Sequence, residues 1–78
     1  MSQVGDNLLS ALKSKYKSEI ECSNATLQIY TTNPVGIGEH PQHLEEMDKL
    51  VDNIATNLDK LEALDRVSKG TVNLYDNL

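Results

Sequence analysis

The stretch 44-LEEMDKLVDNIATNLDKL-61 decides the fold. Its apolar residues Leu44, Met47, Val51, Ile54, Leu58 and Leu61 recur at steps of three and four, and acids, amides and lysines fill most positions between. That spacing is an a/d heptad seam carried for almost three repeats. It predicts an amphipathic helix whose apolar edge needs a second helix to cover it.

The only long candidate is the segment before it. Asp6 reads as an N-cap just after Gly5, opening a helix to about Thr32. Leu9, Leu12, Tyr16, Ile20, Leu27 and Tyr30 share one face of that helix, provided that Ser23 and Asn24 are tolerated there. Pro34 ends it at Asn33, because the residue before a proline is driven out of the α region. Pro41 suits the first position of the second helix, Glu45 and Glu46 suit its positive end, and Gly70 after Ser68 and Lys69 suits its stop. The expected fold is all-α, one domain over residues 1–78. It is a long antiparallel two-helix hairpin, about residues 6–32 and 41–69, with a short tail at 71–78. Each helix is roughly 40 Å long at about 1.5 Å per residue.

Folding the chain near Ile37 pairs Tyr30 with Leu44, Leu27 with Met47, Ser23 with Val51, Ile20 with Ile54, Tyr16 with Leu58 and Leu12 with Leu61. Apolar meets apolar at every level but that of Ser23. The same register brings Lys13, Lys15 and Lys17 near Asp59, Glu62 and Asp65, where exposed pairs contribute only about 0–1 kcal/mol each.

A hairpin of 78 residues is too thin to bury a sizeable core. The lone Cys22 cannot form an internal disulfide, and no Cys and His set has structural-zinc spacing. Association with further copies is the remaining source of burial. The first helix offers a smooth second strip for it: Ala11, Ser18, Cys22 and Ala25, followed by Ile29. We therefore expect a homo-oligomeric helical bundle with self-association through Ala11, Ser18, Cys22 and Ala25.

Other classes find little support. Twelve acids against seven bases give a net charge of −5, so a phosphate backbone is repelled on average and nucleic acid is not expected as a partner. Apolar runs never exceed two residues, which excludes a membrane span, and the first ten residues lack the features of a signal peptide. The expected location is the host-cell cytoplasm or a virion. No Ser-His-Asp or Cys-His arrangement is plausible, so neither catalytic residues nor an enzyme are expected. Glu39, His40 and His43 are the only cluster with metal-ligand chemistry, but Pro41 turns His40 away, so neither metal nor cofactor is expected.

The connection Asn33-Pro34-Val35-Gly36-Ile37-Gly38-Glu39-His40 is longer than closing a hairpin requires. It is either a rigid cap over the end of the core, with Val35 and Ile37 folded back, or a loop that contacts a partner or an anion at the following helix N-terminus. With its flanks it resembles small uncharacterised helical-hairpin proteins of large tailed bacteriophages, T-even-like and marine, which carry an NPVGIGEH-type turn between two amphipathic helices. The match is close from Asn33 to His40 and loose over both helices. The resemblance implies a viral source and a hairpin, and no mechanism.

The expected function is accordingly that of a non-enzymatic phage-type accessory protein acting through protein–protein contacts, either a minor virion component or a modulator of a host protein. Val35, Gly36, Ile37, Gly38, Glu39 and His40 form the expected partner-binding loop. The alternative is an oligomeric small-molecule sponge, such as one for a nucleotide, with ligand sites near the glycine loop.

Overall fold

The computed structural model of the chain describes residues 2–32 and 42–70. They form two helices, α1 (Gln3–Thr32) and α2 (Gln42–Ser68), packed against each other as an all-α hairpin. The pairing is antiparallel. Tyr30 near the end of α1 meets His43 near the start of α2, edge to face with ring centroids 5.5 Å apart. Farther along, Ser23 bonds Asn53, and the Lys60 ammonium lies 5.5 Å from the centroid of the Tyr16 ring.

Helix α1 starts three residues before the expected Asp6, and the cap is Ser2. The Ser2 hydroxyl oxygen accepts a bond from the Gly5 N–H at 3.1 Å, and the Ser2 carbonyl accepts one from Asp6 N–H at 2.9 Å. Ser2 thus satisfies a donor that has no partner within the helix. Asp6 instead sits in the first turn, where its negative charge faces the positive end of the helix dipole. Helix α2 ends where a glycine stop was expected. Gly70 has φ +66°, the left-handed conformation that closes many helices, and its N–H donates to the Val67 carbonyl at 3.1 Å.

The rotation of α2 and the register both differ from the expected ones. The side chains of α2 turned toward α1 are His43, Met47, Leu50, Ile54, Asn57, Leu61 and Leu64, again at steps of four and three. Met47, Ile54 and Leu61 of the sequence seam are among them. Leu44, Val51 and Leu58 are not: they stand 75%, 52% and 53% exposed. The expected pairs Tyr30–Leu44 and Ser23–Val51 give way to Tyr30–His43 and Ser23–Asn53, and Tyr16–Leu58 gives way to Tyr16–Lys60. The physical reason lies at mid-hairpin, where amides and a hydroxyl satisfy one another and thereby occupy positions that an apolar seam would fill.

The expected lysine–acid pairs between helices are not seen either. The ion pairs seen between described residues, Lys49–Glu46, Arg66–Glu62 and Lys69–Asp65, are local to the C-terminal helix and its end. The connecting loop and the tail lie outside the described residues.

Candidate functional site

The centre of the hairpin is polar. No apolar side chain is fully buried among the described residues, and the two that are buried are Ser23 at 4% exposure and Asn57 at 3%. The Asn53 amide donates to Ser23 Oγ at 2.7 Å and to Glu19 Oε2 at 3.2 Å. The Asn57 amide donates to the Asn53 carbonyl at 2.8 Å and to Asn53 Oδ1 at 3.2 Å. Buried polar groups are tolerated only when bonded in this way. A polar layer in a helical seam lowers stability but selects one register, since a slipped register strands the same groups. What these bonds do in the hairpin is align the two helices.

The apolar surface is on the outside instead. Leu44, Val51 and Leu58 follow one another at sevens along α2, and the next residue of that series is Asp65. Asp65 lines a cleft of about 440 Å³ at the open end of the hairpin, floored by Leu9, Leu61 and Leu64 and rimmed by Ser10, Lys13, Lys17 and Ser68. Stripe and cleft therefore lie on one face. Lys13 and Lys17 share that rim with Asp65, yet Asp65 pairs with Lys69 of its own helix at 2.9 Å.

The expected self-association residues Ala11, Ser18, Cys22 and Ala25 are all exposed on α1. They belong to a longer series at steps of four and three, from Val4 and Leu8 through Ala11, Lys15, Ser18, Cys22 and Ala25 to Ile29. Val4, Leu8 and Ile29 are strongly exposed. The sequence analysis began the strip at Ala11: Val4 precedes the helix start expected at Asp6, and Leu8, inside the expected helix, was not joined to the strip although the spacing of four and three runs through it. Cys22 is an exposed free thiol.

The expected contact loop, Val35 to His40, lies outside the described residues. Among the described residues no three His, Cys, Asp or Glu side chains come together to hold a metal ion, and no helix is long and apolar enough to cross a membrane. Comparison with protein-family models, with curated proteins and with solved structures finds no match.

Proposed function

We propose that this chain is a non-enzymatic accessory protein of the phage type, which acts through protein–protein contacts and completes its core by associating with further copies of itself. One observation carries the reading: the hairpin buries Ser23 and Asn57 and leaves Leu44, Val51 and Leu58 in water. These three large apolar side chains recur at sevens along one flank of α2, and apolar side chains aligned on one helix flank are what a contact surface between helices uses. A two-helix unit with no buried apolar side chain among its described residues gains stability from whatever covers those side chains. The sequence from Asn33 to His40, with its likeness to phage hairpin proteins, supports the viral assignment and a partner-contacting role for Val35 to His40.

Melting measured as a function of protein concentration tests the proposal. Assembly makes the melting temperature rise with concentration, because association stabilises only the folded chain. A nucleotide sponge would instead gain melting temperature from added nucleotide. A transition that ignores protein concentration and shifts with nucleotide would overturn the proposal in favour of the sponge.

A further inference from the structure

We infer that the cleft at the open end of the hairpin is a binding site for a small anionic amphiphile, an aliphatic chain that carries one carboxylate. A single hairpin holds the whole site, so the inference does not rest on the self-association proposed above.

Both helices contribute to the floor. Leu9 of α1 and Leu61 and Leu64 of α2 are only half-buried there, so each keeps apolar surface that an aliphatic chain removes from water. The lining from Leu61 to Ser68 runs about 10 Å along α2, at about 1.5 Å per residue. The cleft encloses about 440 Å³, a size usual for small-ligand sites. Among the described residues no aromatic ring lines it, so it offers a nucleotide base no stacking surface.

Charge selects the head group. Lys13 and Lys17 stand one turn apart on the α1 wall, and among the described residues neither forms an ion pair or a hydrogen bond. Elsewhere Lys49 and Lys69 pair with acids, and Lys60 lies over the Tyr16 ring. The acid in the lining, Asp65, is neutralised by Lys69 at 2.9 Å. The mouth of the cleft is therefore locally positive in a chain of net charge −5. A carboxylate between the two ammonium groups accepts charge-assisted hydrogen bonds from both, with the Ser10 hydroxyl on the same rim. The attached chain then lies across Leu9, Leu61 and Leu64.

Calorimetric titration of the unmodified chain with decanoate is the test. Saturable binding is expected, and decyltrimethylammonium, with the same chain and the opposite charge, should bind at least about tenfold more weakly. Lys13→Gln with Lys17→Gln, both exposed, should weaken decanoate binding about tenfold, with far-ultraviolet circular dichroism checking that the variant stays helical. The comparison of the two amphiphiles needs no variant and decides the matter by itself if the variant fails to fold. Amide resonances should shift on binding at Leu9, Leu61 and Leu64, whereas a chain held by any apolar surface would shift those of Leu44, Val51 and Leu58. No saturable binding, equal affinity for the cationic amphiphile, unchanged affinity in the folded lysine variant, or shifts centred on the α2 stripe would each overturn the inference. None of these outcomes bears on assembly, which the concentration dependence of melting reads separately.

Discussion

The inner seam of the hairpin and the outer stripe of α2 invert the usual distribution of residues. Among the described residues Ser23 and Asn57 are the buried ones, whereas Leu44, Val51 and Leu58, large apolar side chains about two turns apart, face out. The contrast divides the work between two surfaces. Polar groups that must be matched to be buried are good at choosing one alignment and poor at supplying stability. Apolar groups supply stability but tolerate many alignments. In the proposed assembly the α1–α2 contact sets the register, and the outer stripe supplies the free energy when a further copy covers it.

Breaking the outer surface should have the largest effect. Val51→Asp combined with Leu58→Asp removes two apolar side chains, each contributing about 1.5–3 kcal/mol when fully buried, and places acids beside Asp48 and Glu62. We expect loss of assembly by size-exclusion chromatography with light scattering, and a large fall in melting temperature. Breaking the inner layer should cost less. Asn53→Ala strands Ser23 and removes an acceptor of Asn57, at a cost of about 1–3 kcal/mol in urea unfolding. Replacing both partners by apolar groups, Ser23→Ala with Asn53→Leu, sharpens the comparison. Stability should be equal or higher, while broadened amide resonances report loss of a single register.

Smaller effects lie outside both surfaces. Ser2→Ala removes the cap of α1 and should cost about 1 kcal/mol, seen as fraying of the first turn by amide hydrogen exchange. Lys49→Ala removes an exposed ion pair with Glu46 and should change the unfolding free energy by less than about 0.5 kcal/mol.

The two helices were legible in the sequence, as was the Gly70 stop of the second; the stop expected at Asn33 lies outside the described residues. Periodicity and helix-ending residues act locally, and the structure obeys them. The start of α1 was not legible, because Gly5 looks like a breaker and a helical glycine costs only about 1 kcal/mol, which the Ser2 cap helps offset. Nor was the rotation of α2. Counting apolar residues places Val51 and Leu58 inside and Asn53 and Asn57 outside. The hydrogen bonds that allow Asn53 and Asn57 inward exist only after α1 brings Ser23 and Glu19 to them. Of the site residues, Ala11, Ser18, Cys22 and Ala25 are exposed on α1, in a series that extends to Val4 and Leu8. The stripe that carries the proposal was visible in the sequence only as part of a seam thought to be fully covered by α1.

Sedimentation equilibrium of the unmodified chain at micromolar concentration tests the central claim most directly. A covered stripe predicts a mass of at least twice the 8.6 kDa of one chain, falling toward the single-chain value on dilution. A stable, cooperatively folded species of 8.6 kDa at every concentration would mean that Leu44, Val51 and Leu58 remain in water, and would contradict it.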